Sequence, residues 1–207
     1  MKTYKDIIPD YERYLTLQTS LYQSFESDHP EWSDPQEEAI REFFADFERD
    51  LIIADIGCGD GFGLEVLKSM GFRHLMGFDA SKDKIAKANE KGLNAAVCDV
   101  HKLPKLMCDV ILCSHVLEHC YYPGKVLDQI SNSLVNGGLL YLILPYPDLG
   151  EDEAHGGKYE LGTMEDDNYE RITAFIEKRH LKVDSITTGF RTGDEIRMEC
   201  HRISRSE

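Results

Sequence analysis

Asp55-Ile56-Gly57-Cys58-Gly59-Asp60-Gly61-Phe62-Gly63 lies between an apolar run and a helical pattern, and this loop sets the fold class of the chain around it. Residues 51–56, Leu-Ile-Ile-Ala-Asp-Ile, are apolar on both faces, as in a central strand of a parallel sheet covered by helices. Glycines admit unusual backbone angles and let a ligand approach the chain closely, while the helix start behind them offers free N–H groups. A dinucleotide fingerprint needs the frame G-x-G-x-x-G, its third glycine opening the helix. Counted from Gly57 that third place is Phe62, and counted from Gly59 it is Leu64, so the frame fails. A P-loop fails too, because no Gly-Lys-Ser/Thr follows.

Working outward, short apolar runs alternate with helical patterns, the order of a doubly wound α/β fold. Residues 138–144 form a second run apolar on both faces, and 74–78, 94–98 and 109–113 are shorter strand candidates. Helices are predicted near 62–70, 82–91 and 123–136, closed by Gly71, Gly92 and Gly137. Toward the end, a helix over 164–180 starts at Thr163-x-x-Asp166, close to a capping box, with Tyr169, Ile172, Phe175 and Ile176 on one face. Strands 182–188 and 195–203 flank Gly189-Phe190-Arg191-Thr192-Gly193-Asp194, the text of an antiparallel hairpin. The expected fold is α/β, a seven-stranded, mostly parallel doubly wound sheet finished by that hairpin.

About 50 residues of helix precede the first strand. Asp34-Pro35-Gln36-Glu37 reads as N-cap, N1 proline and N3 glutamate, and Ile40, Phe43, Phe44 and Phe47 form a helical stripe behind it. Upstream, Tyr4, Tyr11, Tyr14, Tyr22 and Phe25 mark another helical segment, ending near residues 29–32, whose aromatics are core or a lid over a ligand. One domain over 1–207 is expected: a helical cap over 1–50, a ligand-binding core over 51–147, and a substrate loop, last helix and hairpin over 148–207.

The chain has 207 residues with 23 Lys and Arg against 38 Asp and Glu, a net charge of −15. A surface that acidic repels phosphate backbones and anionic lipid, so neither nucleic acid nor membrane is expected as a partner. No apolar run approaches the roughly 20 residues of a membrane span, and no secretory signal follows Met1-Lys2. Cys58, Cys98, Cys108, Cys113, Cys120 and Cys200 form no C-x-x-C pair and read as reduced, packed thiols in a cytoplasmic protein.

Asp55-x-Gly57-x-Gly59-x-Gly61 resembles motif I of the class I S-adenosylmethionine-dependent methyltransferases, and the resemblance runs from about Leu51 to Pro147. Gly77-Phe78-Asp79-Ala80-Ser81 resembles the end of the family's second strand, and Cys98-Asp99-Val100 the end of its third. Ser114 with His115-Val116-Leu117-Glu118-His119 resembles the (N/S)xLEH segment of the type 11 group, and Leu134 to Leu140 its turn into strand five. The resemblance implies a Rossmann-like fold and S-adenosylmethionine as cofactor, with S-adenosylhomocysteine as its product. It implies that Asp79, with Ala80 beside it, accepts the ribose hydroxyls. It assigns Asp99 and the Val100 N–H, next to Cys98, to adenine. Asp55 and the Ser114 carbonyl are implied at the methionine ammonium, with Gly57, Cys58, Gly59 and Gly61 lining its path and His115 close by.

His115-x-x-Glu118-His119 also spells the inverted zinc-protease signature, but it follows directly on a strand, and the family segment accounts for it without metal. Methyl transfer needs in-line positioning above all, and a base only where the acceptor arrives protonated. His119, His115 and His155 are the candidate bases, the last in a loop with Asp148, Glu151, Asp152 and Glu153. The expected function is methyl transfer to an O, N or C nucleophile of a small molecule, by a monomer or homodimer. The alternative is a silent S-adenosylmethionine-binding regulatory or scaffold protein. An NAD-dependent reductase is disfavoured by the glycine frame.

Overall fold

The computed structural model describes residues 3–21, 30–150, 153–189 and 195–204, without the side chain of Trp32. Tyr22, Phe25, His29, Glu151, Asp152 and the turn residues 190–194 lie outside the described residues.

Ile53, Ala54 and Ile56 have no exposed surface, and β1 (Ile52–Ile56) accordingly sits inside a sheet covered on both sides. The other strands are β2 (His74–Asp79), β3 (Ala95–Val97), β4 (Cys108–Ser114), β5 (Leu134–Pro145), β6 (Leu181–Gly189) and β7 (Glu195–Arg202). Their order is β3-β2-β1-β4-β5-β7-β6, with β7 antiparallel to both neighbours and the other six strands running one way. The helices are α1 (Tyr11–Leu21), α2 (Pro30–Phe44), α3 (Phe62–Ser69), α4 (Lys82–Glu90), α5 (Pro123–Ser133), α6 (Lys158–Leu161) and α7 (Glu170–Glu177).

Ile40 and Phe44 of α2 join Val66 and Leu67 of α3 in one core layer, while Val126 and Ile130 of α5 join Ile172 and Ile176 of α7 in the other. Strand order reverses between β1 and β4, and that switch opens a crevice at the carboxyl ends of the strands. The site occupies this crevice.

Three boundaries differ from the sequence reading. α5 stops at Ser133, because Leu134 is buried in the sheet opposite Cys108, and Gly137 (φ 75°) sits in the strand instead of capping a helix. α2 starts at Pro30, so Pro35 stands inside it at the cost of one helical hydrogen bond. α7 starts at Glu170, because Asn168 and Tyr169 are left-handed and 167–169 wrap the Tyr146 hydroxyl. That hydroxyl accepts from the Asp167 and Tyr169 N–H groups at 2.9 and 3.2 Å.

Candidate active site

The glycine loop is held against the end of β2, where Gly57 and Cys58 N–H donate to the Phe78 carbonyl at 2.7 and 3.1 Å. Gly57 has φ 76°, and a Cβ there would stand 2.2 Å from Val116 Cγ2, so only glycine fits. The loop forms the floor of a cavity of about 360 Å³, roofed by Tyr14, Leu15, Gln18 and Thr19 of α1.

Of the predicted cofactor residues, Asp55, Gly57, Cys58 and Gly59 line this cavity, as do Asp79, Ala80, Asp99 and Val100. Ser114 and His115 close it from β4, and His119 and His155 complete the wall. Gly61 and Cys98 lie behind the wall: Gly61 (φ 94°) makes room for Leu93, and Cys98 packs on the core. The described aromatics of the N-terminal segment pack as core. Tyr4 and Tyr14 are buried in a cluster with Tyr121, while Tyr14 also faces the cavity.

The floor is acidic. Asp55 is buried beside Asp79, and desolvation, then that neighbouring charge, push its carboxyl up to about 7. Burial raises the Asp79 carboxyl too, although Gly59 N–H donates to Oδ2 at 3.1 Å and Ser81 N–H to Oδ1 at 2.8 Å. Each gains from a cation or donor entering the cavity. Asp99 is already engaged: its Oδ1 accepts from His101 N–H and Nδ1 at 3.0 and 2.9 Å, and its Oδ2 from the Tyr11 hydroxyl at 2.7 Å. Burial works against its ionisation, yet these donors hold it below the ordinary carboxylate range.

The three candidate bases differ sharply. His115, at φ 52°, is clamped between Glu118 Oε1, 3.3 Å from Nδ1, and Glu195 Oε2, 3.0 Å from Nε2. Burial lowers its pKa, but the two carboxylates outweigh burial and raise it to about 9. At pH 7 it is a cation and cannot accept a proton. Gln36 completes this clamp by donating to Glu195 Oε2 at 2.7 Å and accepting from the Ser114 hydroxyl at 3.0 Å, which ties α2 to β4 and β7. His119 Nδ1 donates to the Ala154 carbonyl at 3.1 Å, and burial lowers its pKa, so it is neutral at pH 7. His155 Nδ1 donates to Asp148 Oδ2 at 2.9 Å. The segment spelling the protease signature is a single 3-10 turn, Leu117–His119, with no α-helical face to stack its histidines.

The His115 clamp gives stability a pH dependence. A histidine raised on folding stabilises fully below its ordinary value near 6.5, and the gain disappears as pH climbs past about 9. Between pH 7 and 10 the parent is expected to lose roughly 2–3 kcal/mol more unfolding free energy than His115→Gln, measured by urea denaturation. Equal losses would remove His115 from the cause.

Gln36 and Glu195 are site residues that sequence reasoning missed. Their partner His115 stands 79 and 80 positions away in the chain, and no local pattern marks such pairs.

Residues 54–142 match the family profile described as "Methyltransferase domain". That segment belongs to the class I S-adenosylmethionine-dependent methyltransferases. Probable tRNA methyltransferase 9B of Homo sapiens is 29% identical over 141 residues, 64% of this chain and 30% of that protein. The tRNA U34 carboxymethyltransferase of Campylobacter concisus is 29% identical over 110 residues, 49% of this chain and 38% of that protein. The chain thus spans about a third of the length of these curated relatives. The crystal structure of Burkholderia thailandensis 1,6-didemethyltoxoflavin-N1-methyltransferase, with S-adenosylhomocysteine bound, superposes with TM-score 0.69 at 17% identity, covering 94% of this chain and 90% of that one. It shares the methyltransferase fold, and S-adenosylmethionine is the family's cofactor.

The exclusion of nucleic acid does not stand, because both curated relatives are named for tRNA. The charge of −15 is a sum over the whole chain, whereas recognition depends on the local field at the site. Among the described residues, no helix is long and apolar enough to cross a membrane.

Proposed function

We propose that this protein transfers a methyl group from S-adenosylmethionine to a nucleoside of tRNA. The observation that carries methyl transfer is the pair of acceptors, buried Asp55 and half-buried Asp79, beside a glycine turn with no phosphate-binding frame. The cofactor has an ammonium and ribose hydroxyls where a dinucleotide has its pyrophosphate, and acceptor-only carboxylates suit those donors. Asp55 and the Ser114 carbonyl take the ammonium, with Gly57, Cys58 and Gly59 along the methionine path. Asp79 takes both ribose hydroxyls beside Ala80. Asp99 and the Val100 N–H take adenine; three donors and the Lys102 ammonium, 3.4 Å from Oδ2, already face Asp99, so the amino group competes with them for its acceptor sites. When bound, the cofactor supplies an electrophilic methyl, and the chain's own groups orient the acceptor and remove its proton.

The names of the curated relatives support tRNA as acceptor, and a base turned out of its stack enters an enclosed site of this kind. A free small molecule bearing an O, N or C nucleophile is the second reading, favoured by the charge of −15. Methyl-labelled cofactor offered with total tRNA and, separately, with a metabolite extract distinguishes them. Label in tRNA supports the first reading, and label only in a metabolite replaces it. Cofactor affinity with no labelled product in either arm leaves a silent binder.

Asp79→Ala is expected to cost roughly 1–3 kcal/mol of S-adenosylmethionine affinity, because two ligand hydroxyls lose their acceptors. Calorimetric titration reads this directly, and an unchanged Kd would remove the ribose assignment.

A further inference from the structure

Asp99 caps the 3-10 turn Val100–Lys102 at the edge of the cavity, and His101 within that turn is 2% exposed although it lines the same space. Both of its ring nitrogens are engaged. Nε2 accepts from the Tyr122 N–H at 3.2 Å, so the proton sits on Nδ1, which donates to Asp99 Oδ1 at 2.9 Å. Burial lowers the pKa of the ring, which keeps it neutral and in this tautomer at pH 7. The turn itself is pinned to α5: Gln129 Nε2 donates to the His101 carbonyl at 2.6 Å, and Gln129 Oε1 accepts from the Leu103 N–H at 2.8 Å. Tyr11, Tyr14 and Tyr122 meet the ring edge to face, with centroids 5.5, 5.8 and 6.2 Å away. A ring enclosed in this way holds one orientation.

The consequence falls on Asp99. Its Oδ1 has two donors from one residue, the His101 N–H and Nδ1, and this pair fixes the plane of the carboxylate. Oδ2 accepts from the Tyr11 hydroxyl at 2.7 Å, and Lys102 Nζ stands 3.4 Å away on a side chain 68% exposed. The lysine is the contact that yields to a ligand, because it is the longest of the four and its ammonium is solvated. Without the imidazole donor, burial would shift Asp99 toward the neutral carboxyl, which donates from one oxygen as readily as it accepts at the other. With that donor in place, the group at the cavity wall is an ionised carboxylate that only accepts. We infer that His101 is a positioning residue for cofactor recognition, fixing Asp99 so that the site takes a purine with an amino group there and turns away one with an oxo group. The inference rests on the methyl-transfer reading, with adenine at Asp99. An oxo oxygen would face the carboxylate with no proton between them, the kind of mismatch that discriminates strongly.

The test is calorimetric titration of the full chain with S-adenosylhomocysteine and with its 6-oxo analogue, S-inosylhomocysteine. The parent is expected to bind the adenine form about 10- to 10²-fold more tightly. In His101→Phe, which keeps the ring packing and removes the donor, the preference should shrink to within about threefold. His101→Asn, whose amide supplies an N–H in place of Nδ1–H, should recover most of it. A purely structural role for His101 would weaken both ligands alike, and a ratio unchanged in His101→Phe overturns the inference. So does a parent that binds the two analogues equally. If His101→Phe fails to fold, nitrogen-15 NMR of the parent decides: the Nδ1–H tautomer of His101 supports the inference and the Nε2–H tautomer overturns it. The two readings stay apart, because a parent that does not bind S-adenosylhomocysteine defeats the methyl-transfer reading. Binding without the expected preference defeats the His101 assignment alone.

Discussion

His155→Gln is expected to bind S-adenosylmethionine within a few-fold of the parent and to turn over about 10²–10⁴-fold more slowly. The glutamine keeps a donor for Asp148 and much of the ring's volume, so the loop holds its place, but it cannot carry a proton at neutral pH. Cofactor affinity stays because the acidic floor is built from Asp55 and Asp79, on the β1 and β2 side of the cavity. The acidic limb of the pH–rate profile should flatten in the same variant, because the group whose deprotonation drives it is gone. A His155→Gln protein within a few-fold of the parent on its true acceptor would show that catalysis needs no histidine base there. Proximity to an acceptor that arrives deprotonated would then suffice.

Legibility in the sequence follows the range of the interactions involved. β1 and the glycine turn are plain in the text because burial on both faces and a left-handed backbone are local demands that few residues meet. The same holds for Gly71 and Gly92, both at positive φ where a helix ends. The start of α2 was hidden because Pro35 has the local signature of a first turn, and tertiary burial of Ser33 and Gln36 extends the helix past it. α5 was drawn too long because Leu134 suits a helix as well as a strand, and only its place opposite Cys108 decides.

The candidate bases show the same division. His115, His119 and His155 stand out by residue type and by their place after β4 and β5. The protonation states of His115 and His119 depend on Glu195 and Ala154, which only the folded chain brings into contact. Sequence spacing therefore found the three rings but ranked His115 with the other two, although its two carboxylates make it a cation.

Gly157→Ala is the substitution expected to damage the fold and the site together. Gly157 has ordinary helical angles, φ −64° and ψ −27°, so an alanine there carries no backbone strain. Its difficulty is space: a Cβ would stand 2.3 Å from the Leu117 carbonyl oxygen, 2.8 Å from that of Glu118 and 2.9 Å from that of Cys120. All three are main-chain atoms of the turn that carries His119, so no side chain can swing aside to admit the methyl. Either the 148–158 segment lifts from the turn or the turn itself deforms. Both outcomes break the 2.8 Å bond from Gly157 N–H to Glu118 and separate His155 from His119. Overpacking against rigid atoms, with a buried hydrogen bond lost, is expected to cost about 2–4 kcal/mol, or roughly 4–16 °C in Tm for a chain of this length. Gly150→Ala is the matched control, because among the described residues a Cβ there meets only Asp148 Oδ1, at 3.8 Å. It should stay within about 0.5 kcal/mol of the parent. Turnover by Gly157→Ala, measured well below its own Tm, should fall toward the His155→Gln value while S-adenosylmethionine binding persists. Parental stability in Gly157→Ala would mean the segment rests on the turn more loosely than a 2.3 Å approach allows, and the placement of His155 would fall with it.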